Sequence, residues 1–134
     1  MKISFPVKTR QRNQLVDITS DVQAAVRELR ADDGIVTVFC PHTTAAITIN
    51  ENADPAVSHD LIETLNRLIP ANQSHFTHAE GNSDSHLKST LVGASEQVLV
   101  ENSRLVLGTW QAIYFAEFDG PRSRTVYVRF LPAP

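Results

Sequence analysis

The last third of this 134-residue chain is almost entirely strand and turn, and that restricts the folds open to it. Residues 98–100, 105–107, 111–118 and 124–130 are rich in β-branched and aromatic side chains, which suit a pleated, half-buried surface. Asn102-Ser103 and Asp119-Gly120-Pro121 are the clearest turns between them. Upstream, strands and helices alternate. Ile3, Phe5 and Val7 alternate with polar residues at a period of two, as a strand with one buried face requires. Pro6 has no N–H to give a ladder, so this strand belongs at a sheet edge or carries a bulge. Residues 14–19 read as a second strand. Ser20 and Gln23 have capping-box spacing and open a helix to about Arg30, with Val22, Val26 and Leu29 on its apolar face. Asp32-Asp33-Gly34 then ends it and turns the chain.

Residues 35–40 have the composition of a buried strand, Pro41 punctuates it, and residues 43–50 continue as another. Asp54 is a good N-cap, with Pro55 at the first position of a second helix. Val57, Leu61, Leu65 and Leu68 keep helical spacing there until Pro70. Residues 71–82 are polar and read as a long loop. Ser83 caps a short third helix to residue 91 or 92, and Gly93 stops it. Paired strands interrupted by helices, then a strand run, predict one α+β domain over residues 1–134. Its expected form is a compact β-sandwich-like body of mostly antiparallel strands with two to three helices.

Composition narrows the function. The formal charge of −3 and the scattered basic residues argue against nucleic acid as a partner. Cys40 is the only cysteine, so no intrachain disulfide is possible and a reducing cytoplasm fits best. The N-terminus lacks the apolar core of a signal peptide. No apolar run approaches the ~20 residues needed to cross a bilayer. The expectation is a soluble cytoplasmic protein with no membrane partner.

Chemistry concentrates between His78 and His86 and runs on to Lys88. This segment holds two imidazoles, two carboxylates, an amide, two hydroxyls and an ammonium in eleven positions. His42, His78 and His86 all lie at element boundaries beside polar neighbours, where sites are commonly built. Neutral imidazole is the commonest protein metal ligand, and three of them leave a zinc-type ion one open position. The alternative is three surface or capping histidines, and the spacing alone leaves the two readings even. His59 shares a solvated helix face with Glu63 and Arg67, and His75 has no distinguishing context. Glu80 and Asp84 could divide acid and base roles. Against that, Asp84 suits the first turn of a helix, and Asp84 with Lys88 makes an exposed ion pair worth a few tenths of a kcal/mol. Lys88 remains a candidate for phosphate. Ser83, Ser85 and the amides opening the helix have anion-binding character, as many empty helix starts do.

Three further groups carry weaker signals. Cys40-Pro41-His42 invites a nucleophilic dyad, but small buried cysteines are common at strand ends, and packing is the better reading. Gly108-Thr109-Trp110-Gln111 is either a stacking surface with an amide or a tight hairpin with Trp110 as core filler. Arg122 and Arg124 flank a rigid turn and suit bidentate phosphate recognition. An ordinary charged hairpin tip explains them more simply.

Taken together, these segments resemble the YjbQ family, also called the secondary thiamine-phosphate synthase family. The blocks are Pro41-His42-Thr43-Thr44-Ala45-Ala46-Ile47, Asn50-Glu51-Asn52, Asp54-Pro55, the whole of residues 78–88, Leu107-Gly108-Thr109-Trp110-Gln111 and Glu117-Phe118-Asp119-Gly120-Pro121-Arg122. They come in the family's order and spacing and span nearly the whole chain. Asn102-Ser103 departs from the Asp-Gly or Asn-Gly turn the family favours, which bears on local hairpin geometry. Cys40 occupies a variable position.

The resemblance implies a homotrimer with a polar pocket at subunit boundaries. There His42, His78 and His86 meet as candidate ligands of a divalent metal; three histidines suit zinc, nickel or copper. Glu80, Asp84 and Lys88 become the candidate catalytic residues. Thr43, Asn82, Ser83, Gln111 and Arg122 become the candidates for holding a small phosphorylated substrate. The implied activity joins a pyrimidine diphosphate to a thiazole phosphate, giving thiamine phosphate and pyrophosphate. A diphosphate leaving group needs cationic stabilisation from a metal or from Lys and Arg. Magnesium, its usual partner, prefers oxygen ligands, so a histidine-rich site is an awkward host for it. Two alternatives follow: a zinc-type hydrolase, with Glu80 or Asp84 moving the proton, or a non-enzymatic trimer that holds a small anion.

Overall fold

The computed structural model describes all residues, 1–134. Eleven elements follow in chain order. They are β1 (Lys2–Lys8), β2 (Gln14–Asp17), α1 (Thr19–Glu28), β3 (Gly34–Phe39), β4 (Ala45–Glu51), α2 (Pro55–Leu68), α3 (Ser83–Val92), β5 (Ser95–Glu101), β6 (Arg104–Leu105), β7 (Gln111–Glu117) and β8 (Ser123–Pro132). The strands form a five-stranded sheet in the order β1-β8-β3-β5-β6 and a three-stranded sheet in the order β2-β7-β4. Every pairing is antiparallel. This is the expected α+β sandwich with three helices.

The two sheets share one core. Val36, Val38, Val98, Val100, Val126 and Val128 from the larger sheet meet Ala45, Ile47, Ile113 and Phe115 from the smaller, and α1 closes the gap with Val22, Ala25 and Val26. Side chains that alternate along each strand put these residues on one face. The smaller sheet is covered on its other face too. Ala46, Ala116 and Phe118 lie there under Leu65 of α2 and Val92 of α3. That double burial explains why β7 reads as a continuous apolar run rather than an alternating one.

Local signals decide most boundaries. Pro6 sits in β1, which pairs only with β8 and so forms a sheet edge, where a missing N–H is harmless. Asp54 Oδ1 accepts from Ala56 N at the start of α2, with Pro55 at its first position. Gly93, at φ 103°, stops α3. Several expectations need correction. Ser20 is not the cap of α1: the helix starts at Thr19, and Asp17 Oδ1 takes the Thr19 amide instead. That helix also ends sooner, with Arg30 in the left-handed region at φ 51°. The strand expected over residues 105–107 is only Arg104–Leu105, with one further backbone bond from Val106 N to Leu99 O. Asn102 and Ser103 both adopt positive φ, 51° and 62°, as a two-residue hairpin turn between β5 and β6 demands.

Candidate functional site

A polar cleft of about 440 Å³ opens between the start of α3 and the β7–β8 turn. Its walls include His42, Thr43, Thr44, His78, Asn82 and His86. Pro41, Glu80, Asp119, Arg122 and Arg124 complete the lining. Three short-range facts build it. The chain after β3 carries His42 to the mouth. The loop before α3 brings in His78, and the first turn of α3 presents His86 beside it. Their rings lie 5.3 Å apart, centroid to centroid, and nearly perpendicular at 84°. A second cavity of about 500 Å³ lies on the other side of this pair, lined by His75, Phe76, Thr77, Ser83 and Leu87. His75 was without context in the sequence, and the fold alone gives it a place.

The floor of the cleft is an ion pair that the sequence did not announce. Glu117 is fully buried and accepts five hydrogen bonds. These come from Thr9 Oγ1, from Arg124 Nε and Nη2, and from the Phe118 and Asp119 amides. Arg124 also donates to Thr44 Oγ1. Arg124 is therefore not an ordinary hairpin-tip charge; its side chain is only 7% exposed. Thr9 and Thr44 lie far away in the chain, which is why the network cannot be read from the turn itself. Gly120 makes room for it, since a Cβ there would meet Gln11 O and come within 2.8 Å of Thr9 Oγ1. Arg122 is exposed at the rim. It donates from Nε to the Asp119 carbonyl and from Nη2 to the Asp119 carboxylate.

His42 is oriented by backbone. Thr125 N donates to its Nε2 at 2.9 Å. Burial, and next the charge of Arg124, push its imidazolium below the usual histidine range. The same ring nitrogen lies 3.2 Å from the Thr125 carbonyl oxygen, so this one residue can donate to one tautomer and accept from the other. No three His, Cys, Asp or Glu side chains come together to hold an ion. The three imidazoles line one cleft.

The other sequence candidates divide cleanly. Thr43, Glu80, Asn82 and Arg122 line the cleft, and Ser83 lines the adjoining cavity. Asp84 and Lys88 line neither. They are buried, each 1% exposed, in a network that fixes α3 to the rest of the chain. Arg12 grips Asp84 with two hydrogen bonds of 2.9 and 3.0 Å, and Lys88 Nζ donates to Asp84, Asn66 and Asn13. The exposed pair expected from the sequence is thus a buried one. Gln111 begins β7, at the opposite end of that strand from Glu117, and its Oε1 accepts from Gly108 N. Trp110 beside it is 62% exposed, so it is not core filler. Cys40 is buried in the core, its thiol pushed up by that burial, and its Sγ donates to the His42 carbonyl rather than meeting the imidazole, so the dyad does not form. His59 stays on a solvated face, next to Asp60 rather than Glu63.

No helix is long and apolar enough to cross a membrane. A family model described as UPF0047 protein YjbQ-like matches residues 3–133. A UPF0047 protein of Methanocaldococcus jannaschii is 53% identical over 98% of this chain and 94% of its own length. The Bacillus subtilis protein YugU is 50% identical over 96% of this chain and 97% of its own. Among solved structures, a YjbQ/UPF0047 protein from Clostridium acetobutylicum superposes with a TM-score of 0.93 at 50% identity, covering 96% of this chain and 99% of that one. A protein from Sulfolobus solfataricus reaches the same TM-score at 32% identity, covering 99% and 97%. The match of sequence and fold along nearly the whole length places this chain in the UPF0047 family of YjbQ-like proteins.

Proposed function

We propose that this protein is an enzyme that acts on a small phosphorylated molecule held in the His78–His86 cleft. We infer further that its reaction is of the thiamine-phosphate-synthase type. The thiazole nitrogen attacks the methylene carbon of the pyrimidine diphosphate. The carbon–oxygen bond breaks, and pyrophosphate leaves with the electron pair. The observation that carries this reading is the meeting of His78, His86, Arg122 and Arg124 in one cleft at the uncapped start of α3. Negative charge gathers on the departing diphosphate. Guanidinium donors and the positive end of a helix are suited to receive it, and a histidine could supply a proton to the leaving oxygen. The adjoining cavity, with Phe76 and Leu87, has the character to take an apolar ring. No step here needs a metal ion.

The homotrimer belongs to the same reading. Leu68, Leu87 and Leu91 are 70%, 44% and 69% exposed on α2 and α3, an apolar surface that a neighbouring subunit would cover. The activity is tested by incubating the purified protein with the two substrates and assaying both products. Equal amounts of thiamine phosphate and pyrophosphate are expected, with a loss of at least about a hundredfold in His86→Ala. Tight binding of the diphosphate without turnover would instead make the protein a non-enzymatic binding module.

A further inference from the structure

The His78–His86 cleft holds strong anion donors and yet has no excess of positive charge. Its two guanidinium groups, on Arg122 and Arg124, share the space with the carboxylates of Glu80 and Asp119 in the walls and of Glu117 beneath. With the imidazoles neutral, the carboxylates outnumber the cations by one. Arg124 is cancelled by Glu117, which takes its Nε and Nη2. Arg122 is cancelled by Asp119, at 3.1 Å. Nothing cancels Glu80, which is exposed and makes no side-chain hydrogen bond or ion pair within the chain.

Unused atoms of both signs remain there. Arg124 is only 7% exposed and spends Nε and Nη2 on Glu117 and Thr44. Its Nη1 makes no hydrogen bond within the chain and is not sealed from solvent, so two N–H groups open onto the cleft. Arg122 commits Nε and Nη2 to Asp119 and keeps Nη1 free at the rim. Asp119 spends only Oδ2, which accepts from Asn82 Nδ2 at 2.9 Å and from Arg122 Nη2 at 3.1 Å. Its Oδ1 has no partner and is likewise not sealed. A buried arginine with unused donors calls for an acceptor from outside the chain. Carboxylate oxygens left open beside it call for a cation, since charge-assisted hydrogen bonds are the strong ones.

We propose that the cleft takes a small zwitterion, a phosphorylated molecule that also carries a positively charged nitrogen, in preference to a phosphate without one. Nη1 of Arg124 and Nη1 of Arg122 hold the phosphate oxygens, and Glu80 with Asp119 Oδ1 holds the cationic nitrogen. The inference rests on the reading of the cleft as a site for a phosphorylated molecule and names the second charge that molecule carries. A ligand with both charges brings its own counter-ion. An anion of the same size without the nitrogen meets Glu80 as a like charge. The proposed reaction creates such a charge, on the thiazole nitrogen as it bonds to carbon, and carboxylates placed beside it stabilise it as it develops.

Calorimetric titration of the full chain with O-phosphoethanolamine and with propyl phosphate tests this, at constant ionic strength and about pH 8, where an ordinary imidazole is neutral. The two probes differ in an ammonium against a methyl group. O-phosphoethanolamine is expected to bind at least about tenfold more tightly. In Glu80→Gln that advantage should shrink to about threefold or less, while propyl phosphate binds no more weakly than before. Equal affinity of the wild-type protein for both probes, or an advantage undiminished in Glu80→Gln, would overturn the inference and leave the anion site standing. Binding of neither would overturn the site as well. Glu80 is exposed, so its substitution leaves the core untouched, and the wild-type comparison needs no variant.

Discussion

Glu117 and Asp84 are carboxylates with no water around them, and each is made tolerable by more than one cation or amide. Glu117 gathers five hydrogen bonds and sets Arg124 in the cleft floor. Asp84 is the more testable of the two. Burial pulls its carboxyl up, but the hydrogen bonds and charges of Arg12 and Lys88 outweigh that and hold it below its ordinary 3.8. A carboxyl lowered in the folded state stabilises the fold above the unfolded value and loses that contribution as pH falls through the folded one. Chemical denaturation between pH 2 and 5 should therefore show stability falling with acid. Arg12→Gln should flatten that fall and cost about 1.5 kcal/mol at neutral pH, since Arg12 is itself partly exposed. Identical acid profiles in the two proteins would remove Asp84 as a cause. None of this was legible in the local sequence. Asp84 and Lys88 look like a helix-surface pair because their partners, Arg12, Asn13 and Asn66, come from other elements.

Among the elements, α3 is the least usual, because it is turned with its polar side inward. Asp84, Ser85 and Lys88 are its buried residues, and Leu87 and Leu91 face out. Removing Lys88 leaves Asp84 buried with one cation fewer, so Lys88→Met is expected to destabilise the fold by about 3 kcal/mol in urea titrations. A near-neutral result would show that the pair can be replaced by packing. The β5–β6 turn offers a gain instead. Ser103 is held at φ 62°, a region glycine enters without a Cβ penalty. Ser103→Gly should raise stability by about 0.5 kcal/mol, and a loss would mean that the weak hydroxyl contact to Asp32 matters more than the backbone. Elements with local punctuation were legible: the edge strand at Pro6, the start of α2 at Asp54-Pro55, and the stop at Gly93. Where a distant group competes for a donor, local rules failed. Thr19 shows this, because its hydroxyl takes the Ile113 amide and binds α1 to β7, while its own amide donates to Asp17 Oδ1 and Ser20 caps nothing.

At the scale of the molecule, the smaller sheet carries the site. Buried on both faces, it delivers Glu117 and Arg124's partners to one end, and the helix α3 leans on β4 to bring His86 to the same end. The cleft was half legible in the sequence. The histidines and Asn82 stand in one dense run, but His42 arrives from the other side of the fold and is positioned by the Thr125 amide. The exposed leucines of α2 and α3 predict association, and light scattering should return three times the 14.8 kDa chain mass. A monomer mass at micromolar concentration would contradict the trimer. The cleft itself is tested most directly by a crystal structure grown with inorganic pyrophosphate. The account predicts phosphate density bounded by His78, His86, Arg122 and Arg124. Pyrophosphate ordered elsewhere on the surface, with this cleft holding only water, would contradict it.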